Sequence, residues 1–193
     1  MEFNGDRLHN LHLFANPMEK EVYSGEAKGV MFFGPGVHRP KDLPNNQIRV
    51  PSNTTVYLAP GAVLKAKLLV DNAENVRIIG RGILDHPIRG IEITDSENVL
   101  VDGITVVNPE HYTVFGGGSS EIVIRNLKSF SCRSWSDGID MMCCRSVRLT
   151  MSSCAIRTTA SLCTITAGTG GEVRPTSLCR TPFFGQMWHI PSM

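Results

Sequence analysis

Short runs of aliphatic and β-branched residues recur along the chain from about residue 50, and Gly, Asn and Asp separate them. Within each run apolar and polar residues alternate, which is typical of a half-buried strand. The anchor residues of five such runs are spaced 20, 23, 23 and 25 residues apart: Val56, Val76, Val99, Ile122 and Val147. Second short runs follow at residues 82–85, 103–106 and 126–129. A period of 20–25 residues with more than one strand per repeat predicts a solenoid.

The lack of helical periodicity between the runs decides which solenoid is expected. A leucine-rich repeat needs Leu at fixed positions and a helical half, and the sequence has neither. Strands joined by short turns indicate an all-β, single-stranded parallel β-helix, whose coils stack about 4.8 Å apart around an apolar column. Asn75 and Asn98 recur at one place in the repeat, where Asn tolerates a left-handed turn and can stack as a ladder. A β-sandwich with regular turns is the alternative.

The pattern divides the chain into three parts. Residues 1–29 are mixed in composition and form an N-terminal lead-in segment, or the remnant of a preceding domain. Residues 30–148 carry the repeat and are predicted to form the β-helix coils. In residues 149–193 Thr and Ser become frequent and the inward alternation fades, unlike the polar cap that normally closes a solenoid. We therefore expect an incomplete solenoid with an aberrant tail.

Composition and charge exclude several classes of function. A chain of 193 residues suits one domain, and its 19 basic and 18 acidic side chains give a net charge of +1. That balance leaves no electrostatic footprint for nucleic acid or an anionic membrane. No run of 18 apolar residues exists, and the first residues lack the basic start and apolar core of a signal peptide. We expect a monomer with neither a nucleic-acid nor a membrane partner.

Cysteine and histidine spacing argues against a metal centre. The six cysteines all lie after residue 131, and none forms a C-x-x-C pair with a matching second pair. The first three, Cys132, Cys143 and Cys144, are interpreted as buried free thiols. The scattered histidines near the N-terminus lack a matching carboxylate cluster. We predict no metal ion and no cofactor.

The string CRSWSDGID at residues 132–140 is the most informative for chemistry. It places Trp135 close to Asp137, with Asp140 three residues further on. An aromatic face packs on a pyranose ring, and a carboxylate handles a proton or a water, so the combination suits sugar chemistry. Asp-Gly is also a common turn, and spacing alone leaves both interpretations open.

The same string resembles the N-T-D-G-I-D motif of the family 28 glycoside hydrolases, the polygalacturonase-like enzymes. Supporting strings are FGPGVH at residues 33–38, PSNTTVYL at 51–58 and IIGRGILD at 78–85, so the resemblance covers about residues 29–148. It implies a right-handed parallel β-helix of the pectin-lyase type. Trp135 and Ser136 stand where the family has Asn and Thr, which marks a divergent branch.

The resemblance also implies site residues. In the family, three aspartates invert the anomeric centre: one in N-T-D and two in a D-D-C motif one coil later. The first maps onto Asp137 as the catalytic residue, with Gly138 and Asp140 in supporting, structural roles. Tyr112 and His111 match a loop that often faces the sugar, although packing beneath a turn is equally open. Trp135 would bind substrate.

The family's later motifs are missing from the sequence as written. The codons of residues 149–193 can be read one base out of register, each new codon taking the last base of one codon and the first two of the next. Residues 149–163 then allow NDVFMRNSDDCIAM, and residues 180–193 allow DAVLWADVAHPIN. The Val-Ala pair of the second string is forced by Met187, Trp188 and His189. The Asp-Asp falls at residues 157–159, about 21 residues after Asp137, the separation that the family's two motifs show.

We therefore expect residues after about 148 to be translated from the wrong frame, which should leave the edge of the last coil unpaired. The resemblance then implies a fragment of an inverting hydrolase of polysaccharide O-glycosidic bonds, secreted or periplasmic, and inactive as this chain stands. One alternative is a polysaccharide lyase on the same fold, with an Arg or Lys base and calcium held by carboxylates. The other is a non-catalytic solenoid that binds carbohydrate.

Overall fold

The computed structural model describes residues 12–25, 27–41, 43–133, 135–150, 152–156 and 163–167; of 153–156 and 163–167 it describes only the backbone. A short 3-10 turn, Pro44–Asn46, is the one helical element there. The strands within these ranges are β1 Val30–Phe33, β2 Gly36–His38, β3 Gln47–Arg49, β4 Thr55–Leu58, β5 Ala62–Leu64, β6 Lys67–Asp71, β7 Glu74–Gly80, β8 Ile83–Asp85, β9 Ile91–Thr94, β10 Glu97–Asp102, β11 Thr105–Val107, β12 His111–Gly117, β13 Ser120–Arg125, β14 Lys128–Ser131, β15 Ser136–Thr150, β16 Ser153–Ile156 and β17 Cys163–Ala167.

Each coil contributes one strand to each of three parallel sheets. Sheet I contains β1, β4, β7, β10, β13 and the second half of β15; sheet II contains β2, β5, β8, β11, β14 and β16. Sheet III contains β3, β6, β9, β12, the first half of β15 and β17. The predicted all-β, right-handed parallel β-helix is confirmed, with about five turns. Because the described pairings are parallel, the β-sandwich alternative is wrong.

The predicted inward column is also confirmed. Val76, Val99, Ile122 and Val147 lie in register on successive strands of sheet I, and each is at most 3% exposed. Burying each side chain stabilises the fold by about 1.5–3 kcal/mol. Val56 departs from the predicted spacing, because it pairs with Ile78 rather than Val76. Val56 therefore lies in the other inward row of sheet I, with Ile78, Val101 and Ile124, which anchor spacing alone did not reveal.

An asparagine ladder runs along the turn that precedes sheet I. The Asn75 side chain donates to Asn53 Oδ1 at 3.0 Å, and the Asn98 side chain donates to Asn75 Oδ1 at 2.8 Å. All three residues have positive φ, between 53° and 58°. Glu121 occupies the next position with φ 54°, and the ladder of side-chain amides ends there. Both roles expected of these asparagines, the left-handed turn and the stack, are confirmed.

We predict opposite effects for two substitutions in this ladder. Asn75→Ala should lower the free energy of unfolding by about 1–3 kcal/mol, because it places Ala in a left-handed conformation and removes two amide hydrogen bonds. Glu121→Asn should raise it by about 0.5–1 kcal/mol, because it extends the ladder by one amide. Urea unfolding of the two variants measures both; equal effects would contradict the ladder's role.

Parallel strand pairing continues beyond residue 148. Strand β15 runs unbroken to Thr150, β16 pairs with β14, and β17 pairs with β15. The expected unpaired edge is therefore not found in sheets II and III, whereas in sheet I no described strand pairs with the far side of residues 145–150. Most of the tail, including residues 157–162 and 168–193, lies outside the described residues, as do residues 1–11 of the lead-in segment. The division at residues 29 and 148, and the wrong-frame interpretation of residues 149–193, stay predictions.

The three cysteines whose side chains are described are free thiols, but only one of them is buried. Cys144 is 1% exposed, and burial raises the pKa of its thiol. Cys132 and Cys143 are exposed, so the prediction of burial was wrong for these two. Cys143 has a φ of 53° and sits where β15 passes from sheet III to sheet I, which turns its side chain out.

Candidate active site

A corner at the start of the sheet III strands positions the predicted catalytic residue. Thr113 and Val114 are consecutive in β12 and both 0% exposed, so the strand alternation breaks there. The coils approach closely at this corner, since a Cβ on Gly90 would lie 2.2 Å from the Thr113 carbonyl oxygen. Tyr112, just before the corner, packs its ring on Phe115 at a centroid distance of 5.4 Å. Both rings therefore lie on the same outer face of sheet III.

Asp137 is in register with Tyr112, one coil further along. Its backbone carbonyl accepts a hydrogen bond from Thr113 Oγ1 at 3.0 Å. The same hydroxyl lies 2.6 Å from Ser129 Oγ, and both side chains are fully buried. This hydroxyl pair anchors the main chain of Asp137 to the interior of the preceding coil, which limits where the carboxylate can go.

Ser136, the residue before Asp137, is anchored as well. Its side chain is 0% exposed, and its hydroxyl donates to the Pro109 carbonyl oxygen and accepts from Ser131 Oγ at 2.5 Å. Thr or Ser supplies such a hydroxyl equally well, so the departure from the family's Thr keeps this anchor. Two consecutive anchored residues give the Asp137 carboxyl a preorganised position.

The surroundings of Asp137 disfavour its charged form. Burial raises the pKa of the Asp137 carboxyl, and the charge of nearby His111 partly opposes that shift. Its Oδ1 atom is buried and has no hydrogen-bond partner among the described residues. A carboxyl that keeps its proton to higher pH is suited to proton transfer.

The other predicted substrate-binding residues surround this strand. His111 opens β12, is exposed and has a φ of 66°, and Tyr112 is half-buried beside Asp137. Trp135 is 77% exposed, so the face of its indole is open to a ligand. The structure brings Tyr112 and His111 to Asp137, and it places Trp135 two residues ahead of it on the surface.

Asp140 lies three residues after Asp137 on the same strand, β15. It lies in register with Phe115 rather than with core residues, while its neighbours Ile139 and Met141 are packed in the core. Strand alternation therefore puts Asp140 on the outer face, where it is nevertheless only 6% exposed. Gly138, next to Asp137, is buried at the corner. Their supporting roles stay predictions.

Sequence reasoning missed a cationic and aromatic cluster on the same face. The Arg89 guanidinium lies 6.0 Å from the Tyr112 ring centroid and 5.5 Å from that of Phe115. It also donates to Glu92 Oε1 at 2.8 Å, and Lys67 donates to the other oxygen at 2.5 Å. No strand periodicity groups positions 112 and 115, because only the corner turns both outward. The cluster places two aromatic rings and the Arg89 guanidinium on the outer face of sheet III, where Tyr112 is in register with Asp137.

The described residues hold one carboxylate of the three that the family resemblance implies. The stretch in which the shifted Asp-Asp would fall, residues 157–159, lies outside them. Within the described ranges, no group of three or more His, Cys, Asp and Glu side chains could hold a metal ion. Among the same residues no helix is long and apolar enough to span a membrane.

Comparison with known proteins gives one informative likeness. No family model and no curated protein matches the chain. A solved structure of a candidate glycosyl hydrolase from Parabacteroides merdae resembles it with a TM-score of 0.53 and 14% identity, over 74% of this chain and 84% of that one. The tailspike of E. coli bacteriophage HK620, solved with a pentasaccharide, aligns with a TM-score of 0.45 and 11% identity, over 68% of this chain and 30% of its own. The chain is thus a right-handed parallel β-helix, the fold it shares with the P. merdae protein.

Proposed function

We propose that this chain derives from a secreted or periplasmic glycoside hydrolase that cleaves O-glycosidic bonds of a polysaccharide with inversion. The observation that carries the proposal is the Asp137 carboxyl: its main chain is anchored through Thr113, burial raises its pKa, and its buried Oδ1 has no hydrogen-bond partner among the described residues. Asp137 acts in the proton transfer or holds the attacking water. The resemblance of residues 136–140 to the family 28 motif supports this role.

The outer face of sheet III supports a carbohydrate ligand. Trp135 and Tyr112 offer ring faces for pyranose stacking. The Arg89 guanidinium lies on the same face, by the rings of Tyr112 and Phe115, which suits an acidic sugar at least as well as a neutral one. In this proposal Trp135, Tyr112 and His111 bind substrate, and Asp140 and Gly138 support the geometry of the Asp137 strand.

The second carboxylate is proposed to lie in the shifted frame. An inverting mechanism requires two carboxyl groups about 6.5–9.5 Å apart, with room for a water between them. The Asp-Asp of the shifted reading falls at residues 157–159, one coil after Asp137. As written, this chain lacks that pair, and we expect it to show no glycosidase activity.

Restoring the frame tests the proposal. Insertion of one base ahead of codon 149, with the frame continued past codon 193, should create the Asp-Asp pair and start hydrolysis of an acidic or neutral glycan. Release of reducing ends from a panel that includes polygalacturonate measures activity, and proton NMR of the first product measures inversion. The chain as written is the matched control.

The other outcomes of this experiment identify the alternatives. Glycan binding without hydrolysis by the restored protein would overturn the enzymatic proposal and favour a non-catalytic solenoid. A calcium-dependent, unsaturated product that absorbs in the ultraviolet would favour a lyase. Activity of equal size in both proteins would refute the frame argument.

A further inference from the structure

Part of the lead-in segment, residues 12–25, lies against the outer face of sheets I and II. His12 and Phe14 pack on the Phe130 ring, at centroid distances of 5.2 and 5.9 Å. Further along, the Glu21 carboxylate accepts two hydrogen bonds from the Arg77 guanidinium, each 2.8 Å long. A cavity of about 330 Å³ lies between this segment and the sheet I strands. None of the proposed active-site residues lines it.

Four cations and three carboxylates line this cavity: Lys20, Arg77, Arg81, Arg125, Glu19, Glu21 and Asp102. Arg77 is neutralised by Glu21, and Arg125 by Asp102 at 2.9 Å. Arg81 also lines the cavity, but it donates only to backbone carbonyl oxygens, those of Gly80 at 3.1 Å and Pro17 at 3.3 Å. Among the described residues it has no carboxylate partner.

Lys128 lies behind the cavity wall rather than in its lining, and it too has no carboxylate partner among the described residues. It is 4% exposed and donates to Asn126 Oδ1, a lining residue of the cavity, at 2.8 Å. The ring of Phe14 covers it at 5.8 Å from the ammonium to the ring centroid. Burial lowers the pKa of Lys128 to about 8; the charge of Arg81 adds to that lowering, and Asp102 opposes it.

Two features indicate that this arrangement is built to receive a negative charge. Buried lysines are normally paired, because an uncompensated charge in a desolvated site is costly. The fold also keeps space for the Arg81 guanidinium, since a Cβ on Gly103 would lie 1.7 Å from its Nη1 atom. A fork of guanidinium donors and a point ammonium charge are the usual partners of oxyanions.

We propose that the cavity under the lead-in segment binds an oxyanion through Arg81, with Lys128 adding positive charge from behind the lining residue Asn126. Sulfate, phosphate and the carboxylate of an acidic sugar share the required chemistry. The site involves neither Asp137 nor the shifted frame, so it stands independently of the proposed hydrolase activity.

Thermal unfolding of the chain as it exists tests the site. Sulfate, phosphate and galacturonate are each titrated against chloride at matched ionic strength, with Arg81→Gln, Lys128→Met and the control Arg39→Gln, an exposed arginine outside the cavity. At a hundredfold excess over Kd, at least one oxyanion should raise the Tm of the unmodified protein and of Arg39→Gln by about 5–10 °C. Arg81→Gln and Lys128→Met should lose this saturable rise.

If the two cations instead had a structural role, their substitution would lower Tm in the absence of oxyanion. We expect Lys128→Met without oxyanion to melt no lower than the unmodified protein, because the substitution removes a buried charge that has no carboxylate partner. An equal rise in all four proteins would be a general effect of salt exclusion and would overturn the proposal. So would the lack of a saturable rise with all three oxyanions in the unmodified protein. Isothermal titration of Arg81→Gln decides the question if Lys128→Met does not fold.

Discussion

Asp137→Asn is expected to lower the turnover of the frame-restored protein by about 10²–10⁴-fold, the usual contribution of a positioned acid or base. The amide keeps the size of the side chain but cannot exchange a proton at neutral pH. The Thr113 hydroxyl bonds to the backbone of residue 137, so the local main chain should be unchanged. Steady-state kinetics on the best glycan, together with circular dichroism, measure both expectations.

The same substitution should stabilise the chain as written. Burial raises the pKa of the Asp137 carboxyl, so the folded state disfavours the charged form. The ionised carboxyl therefore destabilises the folded state. This effect is absent at low pH and grows as the pH rises above the pKa that the Asp137 carboxyl has in the unfolded chain. Asp137→Asn should therefore raise Tm at pH 7 and leave it unchanged at low pH.

Asp95→Asn is the matched control for both measurements. Asp95 is exposed, has a φ of 46° that Asn tolerates, and lies outside the proposed site. It should change neither activity nor the pH dependence of Tm. Full activity of the restored protein without the Asp137 carboxylate would refute its assignment, and with it the borrowed mechanism.

Gly80→Ala is expected to cost about 3–5 kcal/mol, enough to unfold a protein of marginal stability. Gly80 has a φ of 124°, and a Cβ there would lie 2.0 Å from the Leu58 carbonyl oxygen of the preceding coil. That oxygen accepts hydrogen bonds from the backbone N–H groups of Arg81 and Gly82. The strands cannot separate to admit a methyl group without losing these bonds.

Gly36→Ala separates the cost of backbone strain from the cost of the contact with Leu58. Gly36 has nearly the same φ, 122°, but a Cβ there would meet nothing within 4 Å. It should therefore cost only the backbone strain, about 1–3 kcal/mol. Urea unfolding or soluble yield compares the variants. Equal losses would show that the contact with Leu58 has no role.

The repeat could be predicted because each coil of a solenoid follows the same local sequence pattern. Every coil of sheet I must place a β-branched or aliphatic side chain inward, so Val76, Val99, Ile122 and Val147 recur at nearly constant spacing. The register of Val56 could not be predicted, since the anchor pattern is the same on either inward row of a strand. Only the pairing between coils distinguishes the two rows.

For the candidate site, too, the sequence determined one part and the tertiary structure another. The sequence by itself determined the parallel β-helix and singled out Asp137, because the motif is contiguous and its spacing survives in one dimension. Only the tertiary structure decided that Tyr112 lies beside Asp137, that Thr113 anchors it, and that Arg89 joins the same face. These residues are separated by about one or two coils, and a corner that breaks strand alternation turns them to the same side. Residues 23–25 apart in the chain become neighbours only when the coils stack, so their contacts leave no trace in local sequence.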